Sequence, residues 1–142
     1  MDRRSFIQLA TVGGVAGVMS PQAVVASVNK PNMAGGLYYT KDAPGRWHKK
    51  IAGHLPRISK QDKPEGKIRL RITTQHGMQA FDHYIVKHIL LDKDFKFINE
   101  NMFDPKKDKA AISDFYLSNY QGPVYVLSVC NKHDTWMNFL EV

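Results

Sequence analysis

The sequence holds a single cysteine, Cys130, among 142 residues. One thiol excludes an internal disulfide, so the fold has to be held by its core or by a metal. It also argues against the structural zinc sites that rely on paired cysteines. Apolar runs are short as well. None reaches the ~18–20 residues needed to cross a bilayer as a helix. Past residue 26 no apolar repeat of helical period persists, and there are no internal repeats or low-complexity tracts. Acidic residues are in the minority, with 13 Asp and Glu against 20 Lys and Arg, a net charge of +7. Such a field attracts anions. No nucleic-acid-binding motif accompanies it, so nucleic acid is not expected as a partner.

The first residues follow the order of an export signal. Arg3 and Arg4 form a charged start, a glycine-bearing apolar stretch runs from Phe6 to Met19, and Ser20-Pro21 break it before the small residues Ala23 to Ala26. Asp2-Arg3-Arg4-Ser5-Phe6-Ile7-Gln8 looks like a twin-arginine motif. The expected organisation is a twin-arginine signal peptide at 1–26, a flexible segment at 27–35 and one domain at 36–142, exported to the periplasm. The twin-arginine route carries folded proteins, often with a cofactor already inserted. Without the first 26 residues the chain carries 18 Lys and Arg against 12 Asp and Glu. In an oxidising compartment a free thiolate is exposed to oxidation, and either a metal bond or burial protects it.

The rest reads as short strands separated by turns. Lys67 to Thr73 alternates cationic and apolar residues after the turn 61-QDKPEG-66. His83 to Leu91 is β-branched and aromatic, and Asp92-Lys93-Asp94 turn it into a return strand starting at Phe95. Ala111 to Leu117, the nearly continuous apolar run Val124 to Cys130, and Thr135 to Val142 complete the set. Lys41 to Gly53, with Pro44, Gly45 and several cations, reads as a loop. The spacing predicts an all-β, immunoglobulin-like antiparallel β-sandwich of about seven strands.

Six histidines are distributed over this pattern. His76 and His83 bracket a short loop. Cys130 and His133 bracket the turn that leaves the apolar strand. His54 precedes Leu55-Pro56, which stiffen a loop. Loops at one end of a sandwich cluster in space, so these five residues can meet. His88, five positions beyond His83, falls on the other face of a regular strand and is assigned to packing or surface; His48 lies in a cationic loop and is also set aside. Two histidines, Cys130 and a weak methionine, Met78 or Met137, would suit blue copper. Four histidines and Cys130 would suit iron with one open position. Both remain open at this level.

Four segments carry a resemblance: His54-Leu55-Pro56, Thr74-Gln75-His76-Gly77-Met78, Asp82-His83-Tyr84-Ile85 and Cys130-Asn131-Lys132-His133-Asp134-Thr135-Trp136. In order and spacing they resemble the superoxide reductases, in their neelaredoxin or desulfoferrodoxin iron domain, from about Gly35 to Val142. The resemblance implies one iron per chain, with His54, His76, His83 and His133 as equatorial ligands and Cys130 as the axial thiolate. It implies one-electron reduction of superoxide to hydrogen peroxide, an electron-donor partner that the sequence does not name, and a homo-oligomer. No residue beyond the five ligands is assigned a catalytic role. Two features depart from the family. A Glu-Lys pair usually precedes the first histidine, where this chain has Ala52-Gly53, and Lys49 or Lys50 is the expected substitute cation. Gly77 and Asp134 stand where the family usually has proline and glycine. The alternative is an exported iron- or copper-binding electron-transfer module without efficient superoxide turnover.

Overall fold

The computed structural model describes residues 32–142, so the export signal expected at 1–26 and residues 27–31 lie outside the described residues. Seven strands follow in chain order: β1 (Arg57–Asp62), β2 (Lys67–Thr74), β3 (Ile85–Leu91), β4 (Phe97–Met102), β5 (Ala111–Ser118), β6 (Pro123–Cys130) and β7 (Asp134–Glu141). They form two antiparallel sheets, β1-β2-β5 and β4-β3-β6-β7. This is the predicted antiparallel sandwich.

The alternating strands point their apolar side chains inward. Ile68, Leu70 and Ile72 of β2 meet Phe115 and Leu117 of β5 and Leu90, Val124 and Val126 of the facing sheet in one core cluster. Lys67, Arg69 and Arg71 stay on the outer side of β2. β6 lies in the middle of its sheet, between β3 and β7, with one face buried and the other half-buried. The segment ending at Tyr39 runs beside β7 in a parallel bridge to Trp136: the Tyr39 N–H donates to the Thr135 carbonyl at 2.9 Å, and the Met137 N–H donates to the Tyr39 carbonyl at 2.8 Å.

One element departs from the sequence reading. Residues Gly45–Lys50 form a 3-10 helix, kinked at Trp47, which passes into a short α-helix, Ile51–His54. The segment was expected to be a loop. Neither helix is long enough to show a periodic apolar face, and no side-chain cap marks the start of either.

A buried polar network lies between the core cluster and the histidine-rich end of the sandwich. His88 is fully buried, which settles its role as packing. Its Nε2 shares a hydrogen bond with Thr74 Oγ1 at 2.9 Å, and its Nδ1 shares one with Ser113 Oγ at 2.8 Å. Thr74 Oγ1 also pairs with Ser128 Oγ at 2.9 Å, and Asn101 Nδ2 donates to Ser113 Oγ at 3.0 Å. The Phe103 ring packs edge-on against the imidazole. Five strands are tied together through groups that cost free energy if left unpaired.

Burial pushes His88 down to about 4, so the fold requires its neutral form. The unfolded chain binds this proton near pH 6.5, so the contribution is complete above about 6.5 and is lost as the pH falls towards 4. A drop of about 2.5 pH units corresponds to about 3 kcal/mol. We expect the urea midpoint of the metal-free protein to fall between pH 7 and 4.5. The fall should be smaller in His88→Gln; an equal fall in both would show that His88 does not carry it.

Candidate metal centre

Each of the five singled-out residues stands where a strand or helix ends. His54 closes the short α-helix before β1. His76 follows β2, His83 precedes β3, Cys130 is the last residue of β6, and His133 lies in the turn before β7. All five therefore converge at one end of the sandwich, with one ligand atom from each within 4.8 Å of all the others.

The four imidazoles form a square. Going round it, neighbouring ring centroids are 4.7 Å (His54–His76), 4.5 Å (His76–His83), 4.8 Å (His83–His133) and 4.7 Å (His133–His54) apart. The diagonal from His54 to His83 is 6.3 Å. A tetrahedral set would make these separations equal. Three edges of the nitrogen square measure 3.0 Å (His54 Nε2 to His133 Nδ1), 3.1 Å (His133 Nδ1 to His83 Nε2) and 3.1 Å (His83 Nε2 to His76 Nε2). A square of such edges has its centre about 2.2 Å from each corner, close to the ~2.0–2.1 Å of a metal–imidazole bond. Cys130 Sγ is 3.9 Å from His76 Nε2 and 3.7 Å from His133 Nδ1, two opposite corners, so it lies near the axis of the square.

Backbone carbonyls fix the protonation of two rings. His54 Nδ1 lies 2.9 Å from the Lys50 carbonyl and His76 Nδ1 lies 2.7 Å from that of Gly77. A carbonyl only accepts, so each Nδ1 carries the proton and each Nε2 turns a lone pair to the centre. This is the arrangement that metal-binding histidines adopt. Burial, first of all, pushes His54 down to about 4 and also lowers His83 and His133. Neighbouring imidazoles add to the effect, and protons compete little for these nitrogens near neutrality. The donor set fits one metal ion held by four imidazoles in a plane and a thiolate on its axis. It does not fit a tetrahedral zinc site.

The copper alternative needs fewer donors than the structure assembles. Met137 lines an apolar groove with Leu127 on the outer face of its sheet. Met78 is buried with Ile85, Phe103 and Cys130. That cluster closes the sulfur side of the square. His76 and His83 instead border an open depression of about 310 Å³ with Gly77, Gln79 and Asp82.

Several positioning residues are given no role by the sequence, although some lie in the Cys130–Trp136 segment that carries the resemblance. Asn131 is one. Its Oδ1 accepts from the Tyr84 N–H at 3.0 Å, and its Nδ2 donates to the carbonyls of Phe81 at 3.2 Å and Asp82 at 3.0 Å. The turn carrying Cys130 and His133 is thereby joined to the loop carrying His83. Trp136, fully buried, donates from Nε1 to the His133 carbonyl at 2.9 Å. Asp134 has a left-handed backbone, φ 62°, which is a conformation that glycine adopts freely and aspartate tolerates. Its carboxylate accepts from Trp47 Nε1 at 2.7 Å and from Arg46. Trp47 in turn stands edge-on to His133 at 4.7 Å. Position 53 is tight, since a Cβ there would lie 3.3 Å from the Gln75 carbonyl oxygen, next to His76.

No protein-family model matches the sequence, and no curated protein matches it in sequence. Solved structures do match. A variant of superoxide reductase (neelaredoxin) from Ignicoccus hospitalis shares 25% identity over 76% of this chain and 94% of that one, with a TM-score of 0.65. Superoxide reductase (neelaredoxin) from Archaeoglobus fulgidus in the reduced form shares 17% identity over 75% of this chain and 98% of that one, with a TM-score of 0.60. Superoxide reductase from Nanoarchaeum equitans shares 17% identity over 64% of this chain and 94% of that one, with a TM-score of 0.55. The described domain has the superoxide reductase fold.

The two tryptophans lie beside ligand rings, Trp47 at His133 and Trp136 at 5.9 Å from His54, so indole fluorescence reports metal uptake. Anaerobic titration with ferrous iron should change it with an end point of one ion per chain. Asn131→Ala should weaken binding about tenfold or more, the usual effect of removing a group that orients ligands. Unchanged affinity would show that Asn131 does not set the ligand geometry.

Proposed function

We propose that the protein is a superoxide reductase that uses one mononuclear non-haem iron held by His54, His76, His83, His133 and Cys130. The observation that carries this reading is the square of four imidazole nitrogens with a thiol sulfur near its axis, in a fold shared with superoxide reductases. Iron held by these five residues would supply the one electron that, with two protons, turns superoxide into hydrogen peroxide, and an electron-donor protein would replace that electron.

The chain's own residues supply the rest. His54 and His76 present lone pairs because the carbonyls of Lys50 and Gly77 hold their other protons. Cys130 would hold the metal as a thiolate and supply electron density from the side closed by Ile85 and Phe103, which would leave the opposite side for an incoming anion. Lys50 holds positive charge near the site: after burial, its charge is the largest influence lowering His133. Lys132 acts in the same sense on His83 and His133. These cations stand in for the family's Glu-Lys pair, whose second position here is the tightly packed Gly53. The export signal at residues 1–26 supports a periplasmic protein, delivered folded with its metal by the twin-arginine route.

A second reading is an iron-binding electron-transfer module without efficient superoxide turnover. The observation favouring it is the short helix at Ile51–His54, which places Ala52 and Gly53 where the family has its charged pair. Turnover separates the two. A reductase consumes donor electrons and superoxide, forms hydrogen peroxide and releases no dioxygen; a binding module shows no such catalytic consumption. Within the reductase reading, Lys50→Ala should lower the rate at low salt about two- to tenfold and flatten its salt dependence, while Lys49→Ala should leave both unchanged. An unaltered Lys50→Ala rate would remove the steering role.

A further inference from the structure

The two outer faces of the sandwich differ in character. On the four-stranded sheet the register lines up Phe97, Leu91, Tyr125 and Phe139 in one outward row, an apolar face. The outward side chains of the β1-β2-β5 sheet are mostly polar and cationic. The register places Arg57 beside Thr73 and Ile112, Ser59 beside Arg71 and Asp114, and Gln61 beside Arg69 and Tyr116. Three arginines against the one aspartate leave these rows with a charge of +2. Among the described residues, Arg69 and Arg71 both pair with Asp114, and Arg57 pairs with no acid.

Asp114 is saturated by its two partners. Arg69 donates from Nε to Oδ1 at 3.1 Å and from Nη2 to Oδ2 at 2.8 Å. Arg71 donates to the same two oxygens, from Nε at 3.0 Å and from Nη2 at 2.9 Å. These four bonds use the lone pairs that a carboxylate turns outward. The guanidiniums hold the Asp114 carboxyl well below the usual carboxylate range, so the aspartate stays ionised and both forks stay fixed. One carboxylate neutralises only one of the two guanidiniums. Each guanidinium has five N–H groups and gives two to Asp114, and among the described residues the others meet no acceptor. The same two arginines, without Asp114, line a depression of about 250 Å³ together with Ser59 and Gln61. A serine hydroxyl and a glutamine amide both donate hydrogen bonds, so every lining side chain is a donor and none is a carboxylate.

We propose that this depression binds a phosphoryl group, held between the Arg69 and Arg71 forks with Ser59 and Gln61 as further donors. The donor set favours that class of ligand. Arginine forks match pairs of phosphate oxygens. A carboxylate brings two oxygens to four donor side chains, whereas a phosphate monoester brings three. Its second ionisation lies near pH 6, so at neutral pH it is close to a dianion, which the local charge of +2 balances. A free phosphate ion and a lipid headgroup present this same chemistry. Arg71 precedes His76 by five residues, about 17 Å at the usual strand rise, and lies on the outer face of its sheet. The site is therefore separate from the metal end, and the inference does not depend on the chemistry of the metal centre.

Calorimetric titration of the metal-loaded full-length protein with inorganic phosphate, at ionic strength held constant with sodium chloride, tests this. Wild type should bind one phosphate per chain saturably. Arg71→Lys and Arg69→Lys keep the charge but remove a fork, and each should weaken binding about tenfold or more. Gln61→Leu leaves the contacts of Asp114 intact and should weaken it about threefold. Far-ultraviolet circular dichroism should be unchanged in all three, and Lys50→Ala, at the metal end, should leave the affinity unaltered. No saturable binding to wild type would overturn the proposal. So would lysine variants that bind as well as wild type, because a diffuse positive field would then suffice, or an affinity lost in Lys50→Ala. Flotation with phosphatidylcholine vesicles carrying phosphatidic acid identifies the source of the phosphoryl group. Co-flotation abolished by Arg71→Lys assigns a lipid headgroup, and saturable phosphate binding without co-flotation assigns the free ion.

Discussion

Everything at the functional end of this molecule depends on four imidazoles being held about 3 Å apart, nitrogen to nitrogen, around a common centre. Bringing neutral rings this close without a bound cation gains little, and protonating one of them places a positive charge against its neighbours. The fold supplies the ordering. Strand ends, a four-residue helix and one tight turn deliver donors from positions 54, 76, 83, 130 and 133 to one end of a rigid sandwich. The arrangement is square with a sulfur near its axis, and that shape decides what can bind. A tetrahedral ion would have to break the square, whereas an ion that accepts five ligands and keeps a sixth position fits it without rearrangement.

The supports of the square are graded by distance from it. Carbonyls of Lys50 and Gly77 fix two tautomers, Asn131 and Trp136 hold the turn between Cys130 and Asp134, and Trp47 packs against His133 under the control of Asp134. Further inside, His88, the hydroxyls of Thr74, Ser113 and Ser128, and Asn101 tie five strands together immediately below the metal end. The apolar cluster of Ile68, Leu70, Leu90 and Val126 fills the remainder. Each layer is fully hydrogen-bonded or fully apolar: among the described residues no buried side-chain polar atom lacks a partner.

Much of this was legible from residue order. Alternation at Lys67 to Thr73 marks a strand with one buried face, and the apolar run Val124 to Cys130 marks a strand with neighbours on both sides. Histidines and the sole cysteine at strand ends mark donors that loops can gather. What was not legible depends on long-range or backbone geometry. Asn131 acts through backbone atoms of Phe81, Asp82 and Tyr84, some 50 residues away in sequence, and an asparagine in a turn is unremarkable by itself. The helical stretch from Gly45 to His54 is too short and too kinked at Trp47 for a periodic pattern. The glycine-to-aspartate departure at Asp134 became intelligible only from its left-handed backbone and its contacts with Arg46 and Trp47. The apolar outer face is assembled across four strands by their register, which no single strand reveals.

The central claim is that five side chains hold one iron through a thiolate bond. Metal content and the visible absorption spectrum of the oxidised full-length protein test it most directly. The account predicts one iron per chain and a ferric–thiolate charge-transfer band that disappears in Cys130→Ser. Stoichiometric zinc or copper without iron, or a visible band untouched by Cys130→Ser, would contradict it.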